Sequence, residues 1–348
     1  MVHRAAQPAP GRRPRMIRAM RFSSKTVGLA SAVITVLIWT GFIVIARASA
    51  SRGLLPMDIA LARILGASAV LLPWAWWLMR PARLAGEKVG SLWGLSPLPL
   101  RQTVQTGVLG GFLYAILAYT GFVYAPATHA SVLMPGSLPL WTTLLAWLFL
   151  REKVANARAV GLGFIVLGDV LVGGASLLMA FDGGEVWKGD LLFMTAALCW
   201  ASYSVLVRSH GFDAVRATMA ITAFAFVCFV PLFAVLVGLS ILPTQLHQAP
   251  WSEILFQAVF QGVGSVVISG ITFTHMVRHY GAVRSTMITA LVPGLSALGA
   301  VWFLGEPMHW NLLAGLALVT SGILFGVRQA KKPVAAGTPS TSAPGGQP

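Results

Sequence analysis

The chain has 348 residues, of which 56% are hydrophobic and only 10% are charged. Soluble domains average about 25% charged residues, so this composition excludes an ordinary water-exposed globular surface. The net charge of +15 does not indicate a nucleic-acid-binding domain, because Lys and Arg lie almost entirely between apolar segments. The two cysteines, Cys199 and Cys228, lie inside apolar segments and give neither a metal-ligand nor a disulfide spacing.

Apolar segments of about 20 residues recur along the whole chain, and a helix needs this length to cross a bilayer. We therefore predict an all-α integral membrane protein with ten transmembrane helices joined by short links. The predicted spans are 27–46, 57–79, 103–123, 128–150, 158–178, 188–207, 216–238, 252–275, 284–304 and 311–327.

The segments outside these spans have distinct compositions. Residues 80–102 are predicted to form a loop or a short interfacial helix that Trp93 anchors, and two prolines end any helix there. Residues 329–348 are rich in Pro, Gly, Ser and Thr, which predicts a disordered cytoplasmic tail. Residues 1–26 are basic; such a start is also typical of organelle transit peptides, but we interpret it as the cytoplasmic flank of the first span.

The Lys and Arg residues predict the orientation of the chain. If the N-terminus is cytoplasmic, 21 of the 25 lie on the cytoplasmic side and three lie outside, namely Arg47, Arg52 and Lys188. Arg63 falls within the second span. Because cytoplasmic loops carry an excess of Lys and Arg, we expect both termini in the cytoplasm and the protein in the plasma (inner) membrane.

The chain also contains an internal repeat. LFLRE at 148–152 returns as WFLGE at 302–306, and nine of the 30 residues from 139 to 168 are identical at this offset of 154. The informative matches are Pro139/Pro293, Glu152/Glu306, Gly161/Gly315 and Gly168/Gly322, and at an offset of 161 Trp39/Trp200 and Arg47/Arg208.

Each repeat, residues 27–179 and residues 188–328, holds five predicted spans. Because five is odd, the second repeat must cross the membrane in the opposite sense. Inverted repeats of this kind are a building principle of secondary transporters, which bind substrate near the midplane between the two halves. The repeat therefore predicts an all-α fold of two inverted five-helix units.

The chain resembles the drug/metabolite transporter superfamily, and specifically EamA-type transporters with two five-helix domains. The resemblance is carried by IWTGF (38–42), PATHASVLMPG (126–136), LFLREKV (148–154), CWASYSVLVR (199–208) and FLGEP (303–307). It covers about residues 27–328 and implies secondary transport of small metabolites without implying a particular substrate. Arg151 departs from the pattern, because the second repeat has Gly305 at this position.

Aromatic and amide side chains at membrane depth are the candidates for substrate binding, because such walls suit amphipathic metabolites. They are Trp39, Tyr114, Tyr119, Trp200, Tyr203, Gln257 and Gln261. The two glutamines are four residues apart on one helix face. The alternative for the aromatic residues is helix packing, and for the glutamines a tie between helices.

Ionisable residues inside spans are costly, which makes each one a candidate for function. Asp169, in the middle of the fifth span, is predicted to couple transport to protons, and the alternative is a neutral, hydrogen-bonded carboxyl group. His275 and His129, at helix ends, are further candidates for proton transfer, with an interfacial position as the alternative. Arg63 is interpreted as a snorkelling or paired residue, with contact to an anionic substrate group as the alternative.

These features predict a secondary transporter of small organic solutes, working by alternating access and exporting amino acids or related metabolites. The alternatives are an uncoupled or uptake-direction permease, and a non-transporting scaffold or lipid-handling protein. We expect no enzyme, no metal and no cofactor, because no nucleotide-binding, zinc or nucleophile–base motif is present in the sequence. The expected partners are a small-molecule substrate and membrane lipid, with no nucleic acid; a homodimer is kept as one oligomeric state to test.

Overall fold

The computed structural model describes residues 24–50, 53–86 and 90–328, and within these ranges it contains helices and turns but no β-strand. The apolar helices are α1 (Ser24–Ala50), α2 (Pro56–Leu78), α3 (Leu100–Tyr124), α4 (Ala127–Leu150), α5 (Asn156–Met179), α6 (Val186–Ser209), α7 (Ala214–Gly238), α8 (Trp251–Gln257, Ala258–Ile268 and Ser269–Thr289 in succession), α9 (Leu291–Leu304) and α10 (Trp310–Arg328).

Eight of these helices, α1 to α8, are long and apolar enough to cross a membrane. The remaining two, α9 and α10, are shorter apolar helices at the positions of the last two predicted spans. Within the described chain, α9 is shorter than the predicted span 284–304 because the residues before Ala290 continue α8. Large apolar side chains face outward, for example Phe149, which is 69% exposed, and Trp302, which is 85% exposed. An outer surface of this kind is suited to lipid.

The link at 80–102 contains a short helix, Arg80–Leu84, and a single turn, Leu92–Gly94. Trp93 in that turn is 83% exposed, as an interfacial anchor requires, and α3 begins directly after Pro99. The described part of this link thus contains both irregular chain and a short helix, and its position at the membrane interface stays a prediction. The predicted N-terminal flank (1–26) and tail (329–348) lie outside the described residues, apart from the start of α1.

Small residues let the helices pack backbone against backbone. On α5 and α10, Gly161 faces the carbonyl of Gly322, and Gly168 faces the carbonyl of Gly315. A Cβ added at any of these four positions would lie within 3 Å of a backbone atom of the other helix. Glycines at such positions allow the close approach that stabilises helix pairs in lipid.

In the described part of the chain, three helices contain π-helical turns, which are Val108–Phe112 in α3, Val132–Gly136 in α4 and Ala258–Ile268 in α8. Residues 108–112 and 262–266 correspond at the repeat offset of 154, so α3 and α8 are wound irregularly at the same place. Wider turns of this type release backbone carbonyls from the regular helical ladder, and they are frequent at functional sites.

The two related sequences LFLRE and WFLGE end their helices in the same way. Arg151 and Gly305 both adopt the left-handed conformation, with φ of 54° and 66°. In each case the following glutamate N–H donates to a carbonyl six residues earlier, Glu152 to Ala146 and Glu306 to Ala300, at 3.3 Å. In both repeats a left-handed residue ends the helix, and this hydrogen bond satisfies a carbonyl of the last turn.

Candidate functional site

Arg63 lies at the centre of the contact between α2 and α8. Its Nη1 donates to the backbone carbonyl of Gln261 and to Ser265 Oγ, both at 3.3 Å. Its Cζ lies 5.5 Å from the centroid of the Phe42 ring on α1. Arg63 is the eighth residue of α2, which puts it about 10 Å along the helix at 1.5 Å per residue. A partly buried guanidinium group is therefore held between α1, α2 and α8.

Glycines explain why α2 and the π-helical part of α8 can approach so closely. A Cβ added at Gly66 would lie 2.0 Å from the carbonyl of Ala258, and one at Gly262 would lie 2.7 Å from the carbonyl of Arg63. The irregular winding of α8 places the carbonyl of Gln261 where Arg63 can bind it. The local sequence thus sets the position of the guanidinium group.

Aromatic rings from α3 and α6 form the neighbouring wall. The ring of Trp200 lies 5.0 Å from that of Tyr114 and 5.2 Å from that of Tyr203, centroid to centroid. Tyr119 is 2% exposed and packs edge-on against Phe42 at 6.1 Å. The Arg63 guanidinium contacts the same Phe42 ring. Of the five predicted aromatic residues, three therefore form one ring cluster and Tyr119 shares a neighbour with Arg63.

The other predicted site residues have separate environments. Trp39 stacks on Phe273 with 5.3 Å between centroids. Asp169 is 7% exposed, and both of its carboxylate oxygens lack a hydrogen-bond partner among the described residues. It directly follows Gly168, which packs against α10. His275 is an exposed residue of α8.

Gln257 and Gln261 are both fully buried but differ in their bonding. Gln257 Nε2 donates to Ser49 Oγ at 2.6 Å and to Glu253 Oε1 at 2.8 Å, so this glutamine ties α8 to α1. Gln261 has no partner within the described residues for either atom of its side-chain amide. The side-chain oxygen of Gln257 also lacks a described partner, but only Gln261 has both amide atoms unpaired. An unpaired buried polar group costs about 1–3 kcal/mol, so Gln261 is the better candidate to bind a ligand.

A buried cluster of His129, Asp190 and Ser176 joins α4, α6 and α5. His129 Nδ1 lies 2.9 Å from Asp190 Oδ1, and Ser176 Oγ donates to Asp190 Oδ2. The sequence singled out His129 but neither partner. Asp190 stands near the start of a predicted span, where an acidic residue attracts little notice, and Ser176 is a common residue in membrane helices.

Two ion pairs lie at opposite ends of α4 and join the repeats crosswise. At one end, Arg47 Nε lies 3.4 Å from Glu306 Oε1. Glu306 is 9% exposed and also accepts from the backbone N–H groups of Ala127 and Thr128, both at 2.9 Å. At the other end, Arg208 Nη2 lies 2.9 Å from Glu152 Oε1, and that glutamate is 47% exposed.

Comparison with known proteins places this architecture among membrane transporters. The profile of the EamA-like transporter family matches residues 26–174 and 187–328. The chain is similar to the uncharacterized transporter YyaM of Bacillus subtilis, with 25% identity over 64% of this chain and 71% of that protein. It is also similar to a WAT1-related protein of Arabidopsis thaliana, with 24% identity over 84% of this chain and 86% of that one.

Two further likenesses bear on substrate and fold. A probable terminal-alkyne amino-acid exporter of Streptantibioticus cattleyicolor is 24% identical over 63% of this chain and 70% of its own length. A solved crystal structure of another protein superposes with a TM-score of 0.54, at 20% identity, over 89% of this chain and 99% of that chain. At this identity the crystal structure shows likeness of fold alone.

Proposed function

Because this chain belongs to the EamA-like transporter family, we propose that it is a secondary transporter that exports amino acids or related small metabolites by alternating access. Its family and its apolar helices make it an integral, multi-pass membrane protein and a transporter. The proposal adds the substrate class, the direction and the mechanism. It includes ten spans in two inverted five-helix repeats, both termini in the cytoplasm, and the inner membrane as the location.

The crossed ion pairs are the observation that carries the mechanism. Arg47 corresponds to Arg208, and Glu152 corresponds to Glu306, yet each arginine pairs with the glutamate of the other repeat. Two repeats related by a two-fold axis in the membrane plane would place equivalent pairs at opposite faces of the membrane. The reciprocal contacts of the glycines on α5 and α10 support the same symmetry.

The two ion pairs differ in burial, as the closed and the open side of an alternating-access transporter would. The pair at Glu306 is supported by two backbone N–H groups and by a hydrogen bond from Arg47 to the carbonyl of Phe122, whereas the pair at Glu152 is half exposed. On the same face as Glu306, Asp58 accepts from Thr244 Oγ1 at 2.6 Å and from the N–H of Gln245 at 2.9 Å. The Glu306 pair thus has more contacts than the Glu152 pair, and this difference supports alternating access, which requires the reverse arrangement in the other state.

The proposed substrate site lies among α1, α2, α3, α6 and α8. Tyr114, Trp200 and Tyr203 would form its aromatic wall, and Gln261 would hydrogen-bond the solute. We further propose that this site is supported by Trp39, Tyr119 and Gln257. Proton coupling is proposed to involve Asp169 and His275. We propose no enzymatic activity and no cofactor, in keeping with the transporter family.

Reconstitution into liposomes tests the function. Purified protein is first screened for thermal stabilisation by a metabolite library that includes amino acids, because ligand binding stabilises the folded state. Each hit is then measured as radiolabelled flux, with gradients imposed in both directions to separate export from uptake. Saturable flux supports the proposal. A protein that moves no solute, while protein-free liposomes stay tight, would be a scaffold or lipid-handling protein instead.

A further inference from the structure

Arg63 is a partly buried cation that has no carboxylate partner among the described residues. The described ion pairs use Arg47, His129, Lys188 and Arg208, and none of them uses Arg63. An arginine within a span costs about 3 kcal/mol on insertion scales, which is normally offset by a counter-charge, by water or by snorkelling to the interface. The described residues provide no counter-charge for Arg63.

The acidic residue of its own helix does not form an ion pair with Arg63. Asp58, five residues earlier on α2, is fully buried and already accepts from Leu55, Thr244 and Gln245. The present partners of Arg63, the carbonyl of Gln261 and the hydroxyl of Ser265, are both neutral and lie at the long limit for a hydrogen bond. A guanidinium group has five N–H donors, and a single nitrogen makes both of these contacts.

A second, independent feature of the same place is the buried amide of Gln261. Its side-chain oxygen and nitrogen have no partner among the described residues, although its own backbone carbonyl contacts Arg63. The Arg63 guanidinium also contacts the ring of Phe42, against which Tyr119 packs, and the rings of Tyr114 and Trp200 pack on each other in α3 and α6. A cation, an unpaired amide and an aromatic wall would together suit an organic acid as ligand, because carboxylates bind arginine through paired hydrogen bonds.

We infer that Arg63 binds the carboxylate group of the transported solute, with Gln261 and the aromatic wall holding the remainder, an inference that rests on the proposed transport function. One fixed positive charge neutralises a monoanion, whereas a phosphate dianion would leave a negative charge unpaired in the bundle. The ammonium group of an α-amino acid would find the Gln261 carbonyl oxygen and the π-faces of the rings. The substrate class is therefore a small carboxylate, free amino acids included.

Matched acids and amides test this assignment on the full-length protein in nanodiscs. The probes are L-phenylalanine with L-phenylalaninamide, and 3-phenylpropionate with 3-phenylpropionamide. We expect each acid to bind at least tenfold more tightly than its amide. Arg63→Gln should abolish that preference, and its thermal unfolding transition without ligand reports whether the variant is folded. Arg101→Gln, at an exposed arginine of α3, is the matched control and should keep the preference.

Arg63→Lys keeps the charge but loses the planar fork, so it should weaken the preference for acids less than Arg63→Gln does. If Arg63→Gln does not fold, an Arg63→Lys variant that keeps the full preference overturns the assignment. A preference for acids that survives in both variants overturns the assignment, as does a transported solute that carries no carboxylate. Both of those outcomes leave transport itself standing, whereas the absence of saturable flux for every solute overturns the proposed transport.

Discussion

Asp169 is the residue for which a single substitution is most informative about energy coupling. Its carboxylate is buried on α5 without a described hydrogen-bond partner, and a charge there is costly unless it binds a proton. We expect Asp169→Asn to keep solute exchange but to lose acceleration by an imposed pH gradient. Proteoliposome flux with and without the gradient measures this. Asp182→Asn, at an exposed turn, is the control, and an Asp169→Asn variant that still follows the gradient would rule out Asp169 as the coupling group.

Arg151 is strained where its counterpart in the other repeat is not. It adopts φ of 54°, a conformation that costs an L-residue about 1 kcal/mol and that glycine adopts freely. Arg151→Gly should therefore stabilise the protein by about 1 kcal/mol, while Arg151→Ala should not, because alanine keeps the strain. Unfolding in mixed micelles measures both. Equal stability of the two variants would contradict the explanation from backbone strain.

At the scale of elements, backbone contact between α5 and α10 is the feature most sensitive to side-chain volume. A Cβ at position 168 would lie 2.7 Å from the carbonyl of Gly315, whereas a Cβ at position 163 of the same helix would meet nothing within 4 Å. Gly168→Ala should destabilise the protein by about 1–3 kcal/mol, since the helices must separate. Gly163→Ala should be neutral or stabilising by up to about 1 kcal/mol. Unfolding in micelles compares them, and similar effects at both positions would argue against tight packing here.

At the scale of the whole molecule, the ion pair at Glu306 is predicted to hold one face closed. Glu306→Gln removes its charge and weakens its bonds to Arg47 and to the start of α4 by about 1.5–3 kcal/mol. Thr128, buried beside Glu306, provides a reporter as Thr128→Cys in a background without the two native cysteines. A membrane-impermeant maleimide should label this cysteine about tenfold faster when Glu306→Gln is also present.

The matched control for that experiment is Glu152→Gln, which removes the equivalent charge at the other face. It should leave labelling of position 128 unchanged or slower, because weakening the opposite gate favours opening there. Equal acceleration by both substitutions would indicate general loosening of the bundle. No acceleration by either would mean that the ion pairs do not control access.

Much of the helical pattern could be predicted from sequence because hydropathy and helix-ending residues act locally. Eight predicted spans coincide with long apolar helices, and the related endings at Glu152 and Glu306 have the same geometry. The division between α8 and α9 was not predicted, because a helix can continue through a predicted link when its backbone bonds remain satisfied. The π-helical turns were also missed, since winding depends on the neighbouring helices rather than on the composition of one segment.

The linear chain contains enough information to establish a membrane location, a helical class, a repeated unit and a family, because each depends on composition and spacing alone. It names Arg63 and Gln261 as polar groups within spans, Arg47 as an external residue and Glu306 as part of the repeated helix ending, but it does not pair them. Those partnerships join residues up to 259 positions apart, and they depend on which helix faces touch once the bundle is packed. Packing also leaves Arg63 and Gln261 side by side without a carboxylate among the described residues, and this arrangement favours an organic acid as the substrate.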